Sequence, residues 1–172
     1  MLVTDDEILN PAMIDDLPSK DLVEKLCRRK GYSYNHLKYT SPDSGKDYFI
    51  KYNNATMSEA HAQLFFYTEV VQKNPNSTIR IPQLYHAWRE GATVWAYIVM
   101  EYIPIDHFAS DEQRAQAITE LIRIKPPPGV FGSFNGKPIQ HLFFHDWEAP
   151  VVYSSAEKLG AFVNRVGEPV DN

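Results

Sequence analysis

A lysine and a glutamate near the middle of the sequence are the first side chains that could act together in chemistry. Lys51 lies near the end of an alternating segment, residues 47–52, which is typical of a β-strand. Glu59 follows in a run of helix formers that begins at Ser58 and carries apolar residues at helical spacing. The predicted helix follows directly on the predicted strand, so Lys51 and Glu59 are a candidate ion pair. The sequence alone does not determine whether the two side chains meet.

Two histidines and two carboxylates near the C-terminal end form a second candidate group. His141 and His145 lie four residues apart, with Asp146 and Glu148 close behind them. Side chains four residues apart on a strand are separated by about 13 Å. A single metal ion needs its ligands at about 2 Å, so we expect no metal site here.

The segment that precedes the first predicted helix is acidic. Residues 1–17 are interrupted by Pro11, and we expect an arm that packs loosely or not at all. Ser19 is a suitable N-cap for the helix, and Gly31 offers a left-handed C-cap.

Alternating segments predict a mostly antiparallel sheet of about five strands. Residues 32–39 and 47–52 flank a turn cluster and form a β-hairpin. Residues 81–88 are predicted to form an edge strand, because Pro82 cannot donate to a ladder. The apolar run at 94–103 predicts a strand that is buried on both faces.

A third helix and a short hairpin are predicted next. Ser110 is the expected N-cap of the helix, and prolines at 126–128 end it. The apolar residues that we expect to face inward are Ala117, Ile118, Leu121, Ile122 and Ile124. Asn135-Gly136 predicts a type I′ turn between strands at 130–134 and 139–144.

The last predicted helix is amphipathic. Ser154 and Glu157 have the spacing of a capping box ahead of it. Its apolar face consists of Leu159, Phe162, Val163 and Val166. We expect this face to fold back onto the first part of the chain, residues 18–108, or to contact a protein partner or a second copy.

Composition excludes several classes of function. The formal net charge of −5 gives no electrostatic footprint for a nucleic-acid backbone, so binding to nucleic acid is not expected. Cys27 is the single cysteine, and the N-terminus lacks the basic and apolar regions of a signal peptide. No apolar stretch approaches membrane-spanning length. We therefore predict a cytoplasmic protein with no contact to a membrane.

The order of these segments resembles the aminoglycoside phosphotransferase-like, protein-kinase-like superfamily, in particular its uncharacterised fungal members. The matching segments, which cover most of residues 20–166, are 48–52, 58–60, 81–84, 98–103, 121–124 and 132–150. The resemblance implies an α+β fold in which residues 18–108 form a kinase-like N-lobe. Residues 109–172 would then be a shortened C-lobe-like extension of helices and a hairpin.

The resemblance also implies a binding site for ATP or another adenine nucleotide. Lys51 would hold phosphates, and Glu59 would position Lys51. The backbone after the last strand would read the adenine edge, which assigns Met100, Glu101, Tyr102 and Ile103 to nucleotide binding. The alternative is that the ion pair only braces a strand against a helix, and that residues 100–103 are only a strand end.

The catalytic loop of that family has no counterpart in this sequence. The family has a His-Gly-Asp loop with an asparagine about five residues further on, and then an acidic metal ligand. The only His-Asp pair here, His145-Asp146, continues as Trp147-Glu148-Ala149-Pro150. The glycine spacing that wraps a triphosphate is also missing before Lys51. The chain as it stands is therefore not expected to be an active kinase.

Three functions stay open from the sequence. The first is a catalytically incomplete, pseudokinase-like protein that acts by binding a nucleotide or a protein. The second is a small toxin-like enzyme that acts on RNA or ribosomes through an adenine-sized pocket, with Glu59 or Glu101 as its carboxylate and Tyr52 or Tyr102 for stacking. The third is a fragment of an active fungal small-molecule kinase, which requires that the reading frame continue past Asn172.

Overall fold

A six-stranded antiparallel sheet is the centre of the fold. The computed structural model describes residues 1–10, 16–93, 95–125, 132–134, 136–139, 144 and 148–166. Contacts divide the chain into two compact units, Met1–Ile124 and Lys125–Asn172. The sheet lies in the first unit together with three of the four α-helices found among the described residues. The prediction of an α+β fold with a mostly antiparallel sheet is confirmed.

Every neighbouring pair of strands runs antiparallel. The strands are β1 (Leu2–Val3), β2 (Glu7–Leu9), β3 (His36–Thr40), β4 (Asp47–Lys51), β5 (Leu84–Arg89) and β6 (Ala96–Glu101). Their order in space is β1-β2-β5-β6-β4-β3. The predicted hairpin is therefore the pair β3 and β4, and β3 forms one open edge of the sheet.

The helices begin and end largely where local signals place them. They are α1 (Lys20–Lys30), α2 (Met57–Phe66), α3 (Asp111–Ile122) and α4 (Ala156–Val166). The Ser19 side chain accepts a hydrogen bond from the Leu22 N–H at the start of α1. Gly31 follows α1 with φ 91°, a conformation that glycine adopts without strain. A π-helical segment, Tyr67–Gln72, continues α2.

The expectation of a loosely packed N-terminal arm is wrong for residues 2–9. β2 pairs with β5, and Ile8 is fully buried in the core. The Glu7 carboxylate accepts from His86 Nε2 at 2.8 Å and pairs with the Lys20 ammonium at 2.7 Å. These contacts neutralise the charge of the Glu7 carboxylate, and hydrogen bonds with β5 satisfy backbone N–H and C=O groups of β2.

The prediction that residues 81–88 form an edge strand is also wrong. β5 lies between β2 and β6, so both of its edges are paired. Pro82 precedes the first residue of the strand, Leu84, and its missing N–H therefore interrupts no ladder. The N-terminal segment occupies the edge that the sequence left open.

Two helices cover opposite faces of the sheet. The cluster on the α2 side includes Met57 and Ala60 of that helix with Ile98 of β6. The cluster on the α1 side includes Val23 and Cys27 of that helix with Val99 of β6, and it also holds the buried aromatic side chains Tyr48, Tyr52, Tyr85, Trp88 and Tyr97. Ile98 and Val99 are both fully buried. The prediction that the last strand is buried on both faces is confirmed.

The apolar residues of α3 do not all face inward as expected. Ile118 is 59% exposed and Ile122 is 76% exposed. The Glu120 carboxylate accepts hydrogen bonds from the hydroxyls of Ser77 and Thr78. Residues two apart on a helix lie on nearly opposite sides, so this polar contact directs both isoleucines to the surface.

The second unit has a small core of its own around α4. Phe144, Ala149 and Tyr153 are buried there, and Ile139, Leu159 and Phe162 pack against them. Two of the four predicted face residues, Leu159 and Phe162, thus have apolar neighbours within this unit, whereas Val163 is 39% exposed. The side chain of Val166 lies outside the described residues.

The N-cap of α4 lies one residue away from its predicted position, and most of the hairpin predicted before it lies outside the described residues. The Lys158 N–H donates to Ser155 Oγ at 3.3 Å, so Ser155 caps the helix, one residue after the predicted Ser154. The predicted hairpin at 130–144 falls mostly outside the described residues, although the Gly136 N–H donates to the Ser133 carbonyl at 3.0 Å in a turn. Among the helices described, none is long and apolar enough to cross a membrane.

Candidate functional site

The structure brings Lys51 and Glu59 together. Lys51 is the last residue of β4, and the chain turns through Asn53, whose φ is 62°. Asparagine tolerates this left-handed conformation better than most residues. Thr56 then caps α2 by accepting from the Glu59 N–H at 3.2 Å, which fixes Glu59 in the first helical turn. The distance from Lys51 Nζ to Glu59 Oε1 is 2.5 Å.

The ion pair is only partly shielded from solvent. The Lys51 side chain is 26% exposed and the Glu59 side chain is 39% exposed. A pair exposed to this extent contributes about 0–1 kcal/mol to stability. The Lys51 side chain is therefore held in a defined place and keeps part of its surface in contact with solvent.

An aromatic surface lies beside Lys51 on the same face of the sheet. Phe49 precedes Lys51 by two residues, so its side chain points to the same face. The His36 ring stacks on Phe49, with 5.3 Å between centroids and 13° between planes. Met100, directly opposite Phe49 on β6, is buried. The exposed His36 ring, stacked on half-buried Phe49, therefore places an aromatic pair next to a cation.

The chain leaves the sheet directly after Glu101. The Glu101 N–H donates to the Gln83 carbonyl at 2.8 Å. The backbone groups of Tyr102 and Ile103, which come next, have no hydrogen-bond partner among the described residues. Lys51 lies opposite Ile98, four residues before Tyr102, which corresponds to about 13 Å along the strand.

Glu101 lies on the opposite face from Lys51 and Glu59. It pairs in register with Tyr48, whose side chain belongs to the α1-side cluster. Its carboxylate accepts from Arg80 and from the Gln83 N–H. The two candidate catalytic carboxylates are therefore not brought together.

The two tyrosines named for base stacking differ in accessibility. Tyr52 is 2% exposed, and its hydroxyl donates to the Gly31 carbonyl at 3.3 Å. Tyr102 is half-buried, with Lys38 Nζ 4.6 Å from its ring centroid. Only Tyr102 has a ring face that a base could reach.

No metal-binding group is formed by the histidine, cysteine and acidic residues that the structure describes. His141, His145 and Asp146 lie outside the described residues, and Glu148 is exposed. Burial raises the pKa of the Cys27 thiol to about 12, so this cysteine is not a nucleophile near neutral pH.

Sequence reasoning missed a polar cluster that links three elements. Glu7 of β2, Lys20 of α1 and His86 of β5 meet on one side of the sheet. The hydrogen bond from Lys20, followed by that from His86, lowers the pKa of the Glu7 carboxyl. Burial lowers the pKa of His86 although Glu7 opposes this change. In the sequence around Glu7, the only feature that indicates a buried segment is the apolar pair Ile8-Leu9.

Comparison with known proteins identifies no relative. No protein-family model matches the chain, and no curated protein or solved structure matches it at a significant level. The resemblance to kinase-like proteins therefore rests on the residues of this chain alone.

Proposed function

We propose that this chain binds an adenine nucleotide on the α2 side of its sheet and does not by itself transfer the phosphoryl group. The observation that carries the proposal is the ion pair between Lys51 and Glu59. A strand lysine held by a glutamate of the following helix is the arrangement that positions nucleotide phosphates in kinase-like lobes. Here the Lys51 side chain is partly exposed, so its ammonium group can turn to contact phosphate oxygens.

The surroundings of Lys51 suit the rest of a nucleotide. Phe49 and His36 offer a flat surface for a base or ribose, and the backbone after Glu101 offers unpaired groups for the adenine edge. Lys51 and the backbone of Tyr102 lie about 13 Å apart along β6, which is of the order of the length of an extended nucleoside diphosphate. The same residues do not supply a catalytic base, because Glu59 is engaged with Lys51 and Glu101 lies on the other face.

A binding titration with two matched lysine variants tests this proposal. ATP and adenosine are titrated into the full chain by isothermal calorimetry, in the presence of Mg²⁺ and in its absence. Lys51→Ala removes a charge-assisted contact worth about 1.5–3 kcal/mol, so it should weaken ATP binding by about 10- to 100-fold. Adenosine has no phosphates, so its binding should not change.

Lys73→Ala is the matched control. Lys73 also pairs with a glutamate at 2.5 Å, but its partner Glu69 lies four residues earlier in the helical segment that follows α2, and Lys73 caps the end of that segment. This variant should leave ATP binding unchanged. If ATP does not bind at millimolar concentration, or if the two variants weaken binding equally, the ion pair only braces the strand against the helix.

A further inference from the structure

Within the described part of the chain, the edge strand β3 is hydrogen-bonded to a neighbouring strand, β4, on one side only. Its register with β4 is fixed by two flanking hydrogen bonds. The Tyr52 N–H donates to the Asn35 carbonyl at 2.9 Å, and the Ser41 N–H donates to the Lys46 carbonyl at 2.8 Å. Hydrogen-bonded and non-hydrogen-bonded pairs alternate along an antiparallel ladder. The pairs that flank β3, Asn35–Tyr52 and Ser41–Lys46, are therefore hydrogen-bonded, and alternation assigns the five residues between them.

Alternation places three backbone positions of β3 at the open edge. Leu37 and Tyr39 are the residues whose backbone groups bond to β4. The N–H and C=O groups of His36, Lys38 and Thr40 point away from β4. None of these groups has a hydrogen-bond partner among the residues that the structure describes. The edge therefore presents a regular row of donors and acceptors to a further strand.

A groove of about 950 Å³ runs along this edge, and all five residues of β3 line it. The end of α1 lines it through Leu26, Arg29 and Lys30, and the segment after β6 lines it through Tyr102, Ile103 and Ile105. Leu37 and Tyr39 pack against the α1-side cluster, whereas His36 stacks on Phe49 of the other face. The groove thus reaches both faces of β3, and the alternating side chains of an added strand would meet a wall on either side.

The groove is cationic although the chain as a whole is acidic. Arg29, Lys30 and Lys38 line it, and none of the lining residues that the structure describes is an aspartate or a glutamate. Lys38 is already paired with Asp47 at 2.7 Å. Arg29 and Lys30 have no acidic partner within the described part of the chain. Their charges remain available to carboxylates of a ligand.

We propose that the β3 edge binds an extended acidic segment of a partner protein, which adds to the sheet as a further strand. Main-chain hydrogen bonds to His36, Lys38 and Thr40 supply affinity, and Arg29 and Lys30 select for acidic side chains. A second copy of this chain does not fit, because two β3 edges would place like charges opposite each other. Lys38 on the edge thus disfavours self-association while it still admits an acidic peptide.

Fluorescence anisotropy with three synthetic peptides tests the mode of binding. The probe is a labelled peptide of alternating glutamate and valine, long enough to span the five residues of β3. The second peptide has lysine in place of glutamate, and the third keeps the glutamates but is N-methylated along its backbone. Each change should weaken binding by about tenfold or more, because each removes charge attraction or hydrogen bonds worth at least 1–2 kcal/mol. Equal binding of the N-methylated peptide would overturn strand addition, and so would no binding of the first peptide at millimolar concentration.

Two pairs of protein variants locate the site. Lys38→Pro and Lys38→Thr remove the same charge, but only proline removes the outward N–H, and it disturbs no bond to β4. Lys38→Pro should therefore weaken binding about tenfold more than Lys38→Thr. The double variant Arg29→Gln/Lys30→Gln should weaken binding and reduce its salt dependence. Lys25→Gln/Arg28→Gln makes the same charge change on the same helix outside the groove and should have little effect.

Two results with these variants would contradict the proposal. Equal losses in the two double variants would mean that the peptide responds only to overall charge. Equal binding by the proline and threonine variants, both checked for folding by circular dichroism, would rule out the main-chain contact. All titrations are made without nucleotide, so their outcome does not depend on whether Lys51 binds ATP.

Discussion

Replacement of Ile8 tests the placement of the N-terminal segment in the sheet. Ile8 is fully buried in β2 and packs in the cluster that includes Ala87 of β5 and Ile98 of β6. Truncation of a buried isoleucine to alanine costs about 2–5 kcal/mol, through lost transfer free energy and the cavity that remains. Ile8 is completely buried but lies in a short strand near one edge of the sheet. We therefore expect Ile8→Ala to lower the free energy of unfolding by about 3 kcal/mol. Ile8→Val removes one methylene and should cost about 1 kcal/mol.

Urea unfolding monitored by tryptophan fluorescence measures this loss. Trp88 lies opposite Glu7 in the β2–β5 pairing and is 4% exposed, so its emission reports on this part of the sheet. Leu2→Ala is the matched control, because Leu2 belongs to the same segment but is 52% exposed. It should change the free energy of unfolding by less than about 0.5 kcal/mol. If Ile8→Ala is no more destabilising than Leu2→Ala, residues 2–9 are a loose arm and the assigned sheet order is wrong.

Three further predictions concern other parts of the chain. The folded state lowers the pKa of His86, so the unfolded chain takes up this proton first as the pH falls below about 6.5. Stability should therefore decrease from pH 7 to 5, and His86→Gln should flatten that decrease in urea unfolding. Ile122→Ser should leave the free energy of unfolding within about 0.5 kcal/mol of wild type, since Ile122 is largely exposed; a larger loss would mean that α3 buries its apolar side. Phe162 contacts two aromatic rings of the second unit, so Phe162→Ala should lower the free energy of opening of α4 by about 2 kcal/mol, as measured by amide hydrogen exchange. Val163 is 39% exposed, so Val163→Ala should have little effect on this free energy.

Local signals predicted the elements that depend on nearby residues. The cap at Ser19, the end of α1 at Gly31 and the hairpin of β3 and β4 require only short-range hydrogen bonds and backbone preferences. The ion pair between Lys51 and Glu59 belongs to the same group, because one turn joins its strand to its helix. Its role as a phosphate contact stays a prediction until nucleotide binding is measured.

Pairings between distant segments could not be predicted in this way. Composition marked residues 1–17 as an acidic arm, but the free edge of β5 gave Glu7 and Ile8 long-range partners. Likewise, helical spacing in α3 predicted that five apolar residues face inward, but the contact of Glu120 with the loop at 74–78 leaves Ile118 and Ile122 exposed.

The sequence by itself determined an antiparallel α+β fold, the position of a strand lysine before a helix glutamate, and the absence of a His-Gly-Asp loop in these residues. Only the tertiary structure decided that Glu101 lies on the opposite face from Glu59 and that β3 leaves an open, cationic edge. Caps and turns are stabilised by neighbours along the chain, and a sequence records them directly. Faces and edges depend on which strands pair, and that choice is made by burial and hydrogen bonding summed over the whole sheet.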